Sequence, residues 1–423
     1  MEQSKKKNKN FVEITCCRLC KSSYLKMVVD FLDLPLGNNL QETKELSENV
    51  ESFDLKIMRC NNCNHFQLSV SVSPELLYAT NYTYLSGIGV SFVNHIKDYV
   101  KWIINNYNVK VPDVVVDIGS NDGTCLKYFK KKGFTICGVD PAQKPSNIAN
   151  ENGIYTINNF FNSEVANQIL NEFGPVKLVT SQNVLAHVDD LIGTFKNIYK
   201  ILQNGGFFIF EIGYFKKVLE TKCFDTIYHE HLDYHHGKPL VKLLTSIGFD
   251  VIKIEENDIQ GGSLRLSLQK TGKGVVKKQA NLFLEREQNS ILNDNNKLNK
   301  WASDIDSNME TFNSMFKKLK LNKSFCYGYG APTKASLLYK VSKLKQEDIS
   351  YIVEDNKLKV GKFLPKTSIP IVSFNDIDFN KKALIILFAW NFADDIIKKL
   401  KKNYNVPATI LIPLPIPRIV EIC

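Results

Sequence analysis

The densest group of reactive side chains is the tetrapeptide Tyr228-His229-Glu230-His231. It brings a phenol, a carboxylate and two imidazoles together within four positions. Imidazole suits the role of a general base near neutral pH, and a carboxylate or a phenol can orient it. If the segment is extended, alternation places Tyr228 and Glu230 on one side and the two histidines on the other. The tetrapeptide therefore indicates acid–base chemistry.

Two other interpretations of this histidine-rich stretch remain open. The first is a metal site, with ligands drawn from His229, His231, His235 and His236. It ranks second because no H-E-x-x-H helix is present and no carboxylate falls at standard ligand spacing. The second is a surface histidine cluster, which the apolar neighbours Ile227 and Leu232 disfavour.

Four of the ten cysteines form two Cys-x-x-Cys pairs, Cys17 with Cys20 and Cys60 with Cys63. Two such knuckles can supply four thiolates to a tetrahedral zinc ion. A redox role is the alternative for a lone Cys-x-x-Cys, but two knuckles favour zinc. Four thiolates leave no open coordination position, so we predict a structural site. Cys16 and His65 lie beside the ligands in sequence and are expected not to bind the metal.

A third group lies in residues 113–124, Asp-Val-Val-Val-Asp-Ile-Gly-Ser-Asn-Asp-Gly-Thr. The three valines that precede Asp117 predict a buried parallel strand. Gly119 and Gly123 would let the backbone of the following turn come close to a cofactor. Asp140 ends the next predicted strand, near the spacing at which an acidic residue grips ribose hydroxyls. On this motif alone, an ordinary strand–turn–helix is equally open.

Strand and helix patterns alternate from Asp113 onward, which predicts a parallel sheet covered by helices on both faces. The predicted strands are Val114–Asp117, Thr135–Asp140, Gly153–Ile157, Leu178–Ser181 and Gly206–Ile212. Ligands of such sheets bind beyond the carboxyl ends of the strands. The cofactor site is therefore expected at that edge.

Several side chains should lie at this edge. Phe160 follows the third predicted strand and could border an adenine, and Asn183 and His187 follow the fourth. For His187, a satisfied loop residue is an equally open interpretation. Tyr82 and Tyr84 belong to a tyrosine-rich turn before a predicted helix at Val90–Asn106. Core packing is favoured for these tyrosines over a position above the cleft.

A second α/β unit begins near Ser324. A predicted strand enters Gly328-Tyr329-Gly330, a helix is expected to start near Pro332, and Lys334 adds a positive charge. A phosphate site at this loop and a purely structural glycine turn are both open, and no Walker loop is present.

Composition narrows the class of protein. A 44% hydrophobic and 23% charged chain of 423 residues is typical of a soluble globular protein with two or three domains. No apolar run is long enough to span a membrane, and the lysine-rich start does not resemble a secretory signal, so we expect a cytoplasmic protein. The net charge of +10 is spread along the chain, which argues against nucleic-acid binding and suits an anionic substrate.

These patterns predict four segments. Residues 1–80 form a zinc-binding domain, 81–275 a cofactor-binding domain, 276–323 a helical linker and 324–423 a C-terminal α/β domain. The 39 residues between the two knuckles exceed the usual zinc-ribbon gap, so a sizeable insertion is expected there. A monomer or a weak oligomer is expected.

Taken in this order, the motifs resemble the S-adenosylmethionine-dependent C-methyltransferases that act on nucleotide-linked keto-deoxysugars. The Tyr-His-Glu-His box and Gly-Tyr-Gly-Ala-Pro-x-Lys carry most of the likeness, and it extends over almost the whole chain. The resemblance implies a class I methyltransferase core, Rossmann-like, between a small zinc-binding domain and a second Rossmann-like domain. Departures are Ala335, where the family often has glycine, and Tyr234-His235-His236, where apolar or small residues are usual.

The resemblance also implies roles for individual residues. S-adenosylmethionine would be held by Asp117, Gly119, Asn121, Gly123, Asp140, Phe160 and Asn183. Zinc would be held by Cys17, Cys20, Cys60 and Cys63. His231 would be the catalytic base, with Tyr228, Glu230, His187 and Tyr82 around the reacting sugar. The nucleotide diphosphate, dTDP or GDP, would meet Tyr84, Gly328, Tyr329, Gly330 and Lys334.

The implied reaction is removal of a proton next to a keto group, followed by methylation of that carbon. Such a carbon acid needs a base and hydrogen-bond donors for the enolate. Two alternatives remain: O- or N-methylation of a related sugar, and a zinc-ribbon binding protein with a degenerate methyltransferase core. The presence of Gly119, Gly123 and Asp140 disfavours the degenerate core.

Overall fold

The computed structural model describes residues 10–79, 85–321 and 325–422. The described chain forms two compact units. The first contains residues up to Lys26, Met58–Lys217 and Glu230–Asp294, and the second contains Met27–Ile57, Val218–His229 and Asn295 onward. Most of the insertion between the knuckles therefore groups with the C-terminal part of the chain. The predicted four-segment division stays a prediction.

The strands and helices follow in chain order. The strands are β1 Phe11–Glu13, β2 Leu25–Pro35, β3 Ser52–Cys60, β4 Phe66–Leu68, β5 Val70–Val72, β6 Val114–Ile118, β7 Thr135–Val139, β8 Thr156–Ile157, β9 Val176–Gln182, β10 Leu202–Gly213, β11 Asp233–Tyr234, β12 Phe249–Asn257, β13 Ser263–Lys270, β14 Cys326–Tyr329, β15 Ile352–Glu354, β16 Ile371–Ser373, β17 Leu384–Leu387, β18 Ala408–Ile412 and β19 Arg418–Ile422. The α-helices are α1 Lys44–Glu48, α2 Val90–Asn106, α3 Thr124–Lys130, α4 Gln143–Glu151, α5 Ser163–Phe173, α6 Leu191–Ile201, α7 Phe215–Thr221, α8 Gly237–Ile247, α9 Lys278–Gln288, α10 Asn295–Lys320, α11 Ala335–Val341 and α12 Ala393–Lys401.

The first unit is built on a seven-stranded sheet of order β12-β13-β10-β9-β6-β7-β8. Its strands β6 to β10 are parallel to one another, and β13 runs antiparallel between β10 and β12. Val115 and Val116 of β6 are buried on opposite faces, as expected for a strand covered by helices on both sides. On one face, Tyr99 of α2 and Phe129 of α3 belong to the same buried cluster as Val115.

The knuckle region of the first unit adds short strand pairs. β1 pairs with β5, and β4, which follows the second knuckle, pairs antiparallel with β11. The register places Asp233 opposite Gln67. The segment that follows His231 is thereby joined by backbone hydrogen bonds to the segment that follows Cys63.

The second unit contains a six-stranded sheet of order β16-β15-β14-β17-β18-β19. All neighbours are parallel except β18 and β19. A core of Tyr327, Ile385 and Leu387 from the sheet packs against Ile396 and Leu400 of α12. This is the second α/β unit that the sequence predicts.

Most predicted elements are confirmed, with small shifts at their ends, and α2 has the predicted bounds. Two predictions are wrong. Residues 228–230 form a bend and a turn instead of an extended segment, so the predicted alternation of side chains does not apply. The helix expected near Pro332 begins at Ala335 after a turn. Tyr82 and Tyr84 lie outside the described residues.

The predicted helical linker contains two helices, α9 and α10, which belong to different units. Among the described helices, none combines the length and the apolar character needed to span a bilayer.

Gly119 offers a direct test of how tightly the turn after β6 is packed. Its φ is +70°, and a Cβ atom there would lie 2.2 Å from Cγ2 of Val184. We expect Gly119→Ala to lower the free energy of unfolding by about 3 kcal/mol, because a left-handed backbone penalty and overpacking add. Urea titration measures this change.

The matched control is Gly153→Ala. Gly153 has a similar φ of +71°, but an added Cβ would meet only the flexible end of Lys130. We expect a loss of about 1 kcal/mol from backbone strain alone. Equal losses at the two positions would show that the close approach to Val184 is unimportant.

Candidate active site and metal centre

The two cysteine knuckles converge. The Sγ atoms of the four cysteines all lie within 4.8 Å of one another, and two of the Sγ–Sγ distances are 3.6 Å (Cys17–Cys63) and 3.5 Å (Cys20–Cys60). Zinc–sulfur bonds of about 2.3 Å in a tetrahedron separate sulfurs by about 3.8 Å. The four thiols therefore fit one zinc ion, as predicted.

The neighbours of the knuckles do not join this cluster. Cys16 is exposed, and the buried His65 ring contacts Asp233 through Nε2 at 2.8 Å. Within residues 10–79, 85–321 and 325–422, the four cysteines are the one group of three or more Cys, His, Asp or Glu side chains close enough to hold a metal. The alternative of a histidine metal site therefore finds no ligand set in the described chain.

The turn after β6 has the shape of a backbone cradle. Gly119, Asn121 and Gly123 all have positive φ angles, and α3 starts directly after Gly123. The backbone amide of Gly119 donates to the carbonyl of Val139 at 2.8 Å, which ties the turn to β7. Added Cβ atoms would collide with Val184 at Gly119 and with Ile154 at Gly123. Close backbone approach is thus the reason for glycine at both positions.

Asp140 fixes the other side of this cradle. Its carboxylate accepts hydrogen bonds from the backbone amides of Asn121 at 2.8 Å and Ala142 at 2.9 Å. Burial raises the pKa of Asp140 to about 6, although these two amides oppose the rise. Each oxygen keeps acceptor capacity for a further donor, such as a ribose hydroxyl. The residue therefore fits the predicted ribose contact.

Asp117 lies deeper, within β6. It is buried and accepts a hydrogen bond from the Thr180 hydroxyl at 2.6 Å. Burial raises the pKa of Asp117 to about 7, and the nearby Asp140 charge contributes to the rise. Asp117 is therefore partly protonated near neutral pH.

Phe160 and Asn183 lie after the strands that the sequence indicates. The Phe160 side chain is 39% exposed beyond β8, so it is available to a ligand. Asn183 has a positive φ of 55° directly after β9, and its backbone amide donates to the backbone carbonyl of Glu211 at 2.8 Å. The glycine turn, Asp140 and Asn183 together fit an S-adenosylmethionine site.

His187 and His231 come together in the first unit. Their ring centroids are 4.7 Å apart, in an edge-to-face arrangement. Burial and the neighbouring His231 lower the pKa of His187 to about 3, although a hydrogen bond with the Glu230 backbone opposes the shift. His187 is therefore a neutral imidazole near pH 7, with one N–H donor and one acceptor nitrogen in its ring.

His229 of the box and the nearby His236 have structural partners. The His229 ring contacts the carbonyl of Phe53 at 3.1 Å, and burial lowers its pKa to about 4. His236 contacts Glu287 through Nδ1 at 3.2 Å. Tyr228 is partly buried in the second unit, whereas the buried Glu230 belongs to the first.

A buried ionic group at the end of β10 was not predicted from sequence. Glu211 accepts from Nε of Arg265 at 2.7 Å, from Nδ2 of Asn257 at 3.0 Å, and contacts Nε2 of His95 at 2.6 Å. The Arg265 guanidinium also lies 4.5 Å from the Trp102 ring centroid. These residues are far apart in sequence, so no local motif marks them.

In the second unit, Lys334 pairs with the fully buried Asp225 at 2.8 Å and lies 4.5 Å from the Trp390 ring centroid. Trp390 Nε1 donates to the same carboxylate at 2.5 Å. The backbone amide of Ala331 donates a hydrogen bond to the Glu354 carboxylate at 2.8 Å. At the predicted phosphate loop, one amide and the lysine therefore already have acidic partners.

Gly328 and Tyr329 form the end of β14, next to β15 and β17. The Tyr329 hydroxyl donates to Asp355 at 3.1 Å, and Nζ of Lys399 donates to Asp355 at 2.6 Å. Gly330 has a φ of +88°, and an added Cβ would lie 2.3 Å from Cβ of Ala389. Glycine at 330 thus serves a tight turn, and the Tyr329–Lys399 pair offers polar groups at the same edge.

Comparison with known proteins yields three family models along the chain. The model described as "Putative zinc binding domain" matches residues 17–78, "Methyltransferase domain" matches 98–254, and "C-methyltransferase C-terminal domain" matches 258–415. The chain is also 28% identical to the C-methyltransferase NovU of Streptomyces niveus over 406 residues, which cover 96% of each sequence.

Two solved structures are similar to part of the chain. Magnesium protoporphyrin IX methyltransferase from Synechocystis PCC 6803, with bound S-adenosylmethionine, is 14% identical with a TM-score of 0.33, covering 43% of this chain and 81% of that one. The plantazolicin methyltransferase BpumL, in complex with S-adenosylhomocysteine, is 15% identical with a TM-score of 0.34, covering 43% and 83%.

The sheet order, the glycine turn after β6 and the matching family model define the first unit as a class I methyltransferase core. The three models follow one another along the chain, and together with the similarity to a C-methyltransferase they make the chain an S-adenosylmethionine-dependent C-methyltransferase. Its methyl donor is S-adenosylmethionine, and its four-cysteine site is a zinc site.

The zinc site yields a testable expectation. Purified protein should contain about one zinc ion per chain, and Cys60→Ser should lose the metal and melt at lower temperature, because a tetrahedral site needs all four ligands. Elemental analysis and calorimetry measure both quantities. Cys16→Ser is the control next to the ligand Cys17, and it should keep zinc. Loss of zinc from both variants equally would contradict the ligand assignment.

The buried carboxyl of Asp117 should leave a signature in stability. Because its pKa is about 7 in the folded protein and lower in the unfolded chain, rising pH ionises the unfolded state first. The contribution of Asp117 to the free energy of unfolding should therefore fall between pH 4 and pH 7, by up to about 4 kcal/mol. Asp117→Asn removes the titrating carboxyl and with it this pH-dependent contribution. The difference in the free energy of unfolding between wild type and variant should therefore shrink as pH rises.

Urea unfolding at several pH values measures this trend. Asp113→Asn is the control, because Asp113 is partly exposed at the start of the same segment. A difference between wild type and Asp117→Asn that does not change with pH would contradict the account.

Proposed function

We propose that the enzyme methylates a carbon next to the keto group of a nucleotide-diphosphate-linked deoxysugar, through an enolate formed by a protein base. The substrate class rests on the resemblance of the motifs to the sugar C-methyltransferases. The observation that carries the mechanism is the pair of imidazoles at His187 and His231, with ring centroids 4.7 Å apart. Proton removal from a carbon acid requires a base and a donor for the enolate oxygen, and two adjacent imidazoles can supply these two roles.

In this proposal, His231 takes the proton from the substrate carbon. His231 is partly buried and directly follows the turn that ends at the buried Glu230. His187, which stays neutral near pH 7, would share its ring N–H between the Glu230 backbone and the enolate oxygen. Glu230 and Tyr228 would line the sugar site, together with Tyr82, which lies outside the described residues.

The glycine turn and Asp140 are proposed to hold the donor. Bound S-adenosylmethionine supplies an electrophilic methyl group on a sulfonium centre. The turn Gly119–Gly123 would present its backbone to the cofactor, and Asp140 would accept from the ribose hydroxyls. Asp117, Asn121, Phe160 and Asn183 would surround the same ligand. The chain's part in the transfer step is to hold the two reactants in line, which supplies much of the rate enhancement of such reactions.

The second unit is proposed to bind the nucleotide diphosphate, dTDP or GDP. Support comes from the cations Lys334 and Lys399 near the carboxyl ends of β14 and β17, and from the basic balance of the chain. Because Lys334 is paired with Asp225, a diphosphate would share this lysine with the carboxylate or displace it. Gly328, Tyr329 and Gly330 would form the wall of that site, with Tyr84 as a further contact.

Solvent isotope exchange tests the proposed base. In D2O, the enzyme should exchange deuterium into a dTDP- or GDP-linked keto-sugar in the presence of S-adenosylhomocysteine, which binds the site but donates no methyl group. His231→Gln should slow both exchange and methyl transfer by about 10²- to 10⁴-fold, the usual contribution of a general base. S-adenosylhomocysteine binding, measured by calorimetry, should not change.

His229→Gln is the matched control. Its ring is held by the Phe53 carbonyl, and a glutamine amide can replace that hydrogen bond. We expect this variant to keep exchange and methyl transfer within about tenfold of wild type. Full turnover by His231→Gln would remove the base assignment. Methyl transfer to oxygen or nitrogen, without exchange at carbon, would replace the enolate mechanism.

A further inference from the structure

Arg18 links the zinc knuckle to both histidine-bearing segments. It lies between the ligands Cys17 and Cys20, yet its side chain reaches toward the loop after β9 and toward β11. The side chain is only 9% exposed, so its charge requires partners within the protein.

On the side of His231, Nε of Arg18 lies 3.0 Å from both carboxylate oxygens of Asp233. Asp233 is buried, and His65 Nε2 lies 2.8 Å from its Oδ1. The backbone of the same segment is also held, because the amide of Leu68 donates to the carbonyl of Leu232 at 2.9 Å. The two residues that follow His231 are thus fixed by the knuckle region.

On the side of His187, Nη2 of Arg18 donates to two backbone carbonyls. The distances are 2.6 Å to Val188 and 2.8 Å to Asp189. The hydroxyl of Ser71 in β5 donates to the Asp189 carboxylate at 2.8 Å. The two residues that follow His187 are therefore held by the same guanidinium that holds Asp233.

The two segments also meet directly: the amides of Leu232 and Asp233 donate to the carbonyl of Ala186, at 2.8 and 3.4 Å, and the His187 ring forms a hydrogen bond with the Glu230 backbone. These contacts all lie between residues 186–187 and residues 230–233. Arg18 adds a further connection, between Asp233 and residues 188–189. Each catalytic imidazole then lies next to residues that are tied across to the other segment.

We propose that Arg18 is a positioning residue that sets the spacing and angle of the His187 and His231 rings. The proposal rests on the proposed function in taking these rings as catalytic. Through Arg18, the zinc knuckle acts on the active site as well as on the stability of its own domain. The planar guanidinium is needed because one side chain must engage a carboxylate and two carbonyls at once.

Arg18→Lys tests the proposal, because lysine keeps the charge beside Asp233 but cannot reach all three partners. We expect amide hydrogen exchange in residues 186–189 and 231–234 to accelerate at least about tenfold. The kcat should fall about 10- to 100-fold, as expected for small misplacement of catalytic groups, with little change in the KM for S-adenosylmethionine. Zinc content should stay at the wild-type level.

Arg59→Lys is the matched control. Arg59 precedes the ligand Cys60 in the other knuckle, is buried, and places its guanidinium 5.6 Å from the Phe66 ring centroid. It should leave exchange in the two histidine segments and kcat within about twofold of wild type. The proposal is overturned if Arg18→Lys keeps wild-type amide protection in both segments or keeps the wild-type kcat. It is also overturned if Arg18→Lys and Arg59→Lys have the same amide protection and the same kcat.

Ser71→Ala covers the case in which Arg18→Lys does not fold. It removes one hydrogen bond to Asp189 and should accelerate exchange in residues 186–189 with a smaller loss of kcat. Unchanged exchange and kcat would again contradict the proposal. The test of Arg18 can be told apart from the test of His231 as the base. If Arg18→Lys accelerates amide exchange in both segments while His231→Gln keeps full turnover, Arg18 still connects the two segments but His231 is not the catalytic base.

Discussion

The close approach of Gly119 to Val184 is the contact on which the methyltransferase site depends. The parallel pairing of β6 with β9 places Ile118 opposite Ser181, so both strands end at the same edge of the sheet. Val184 then packs where a side chain of residue 119 would be. His187 follows Val184 by three residues, so this contact lies beside the segment that carries one of the proposed catalytic histidines. Any larger residue at 119 would collide with Val184.

Buried charges in the first unit are held by partners from distant parts of the chain. Burial alone would raise the pKa of Asp233, but the Arg18 charge and the His65 hydrogen bond outweigh it and hold the pKa well below its ordinary value. Glu211 similarly pairs with Arg265 at 2.7 Å. Removing one member of such a pair leaves an uncompensated charge, which typically destabilises a protein by about 3–5 kcal/mol. These pairs therefore hold the segments that carry them in one arrangement, and substitution of either member of a pair is expected to be poorly tolerated.

Local motifs made much of the fold and site predictable. Each of these motifs predicts one strand or one turn, and the structure has those elements. They are the Val-Val-Val-Asp run, the spaced glycines and the acidic residue that ends the next strand. The two knuckles predicted a zinc site equally well, because two closely spaced pairs of thiolates in such a chain have few roles other than metal binding. The order of the motifs then carried the resemblance to the C-methyltransferases, and the three family models match in the same order.

Other features depend on distant contacts that no single motif reports. The Tyr-His-Glu-His box was predicted to be extended, but it turns, and His229 is drawn to the carbonyl of Phe53. The pairing of Lys334 with Asp225 and the Glu211 group join residues far apart in sequence. The residues between the knuckles group with the C-terminal part of the chain because their packing partners lie there. Tertiary contacts decide all of these, and propensity and spacing do not encode them.

In the proposed mechanism, one cleft holds the methyl donor on the Gly119–Gly123 turn and faces it with the His187–His231 pair. A crystal structure of the enzyme with S-adenosylhomocysteine tests this most directly. The account predicts that the ribose meets Asp140 and that the sulfur faces the two imidazoles, with space for one sugar ring between them. A sulfur directed away from the imidazoles, or imidazoles closed off from the ligand by packed side chains, would contradict it.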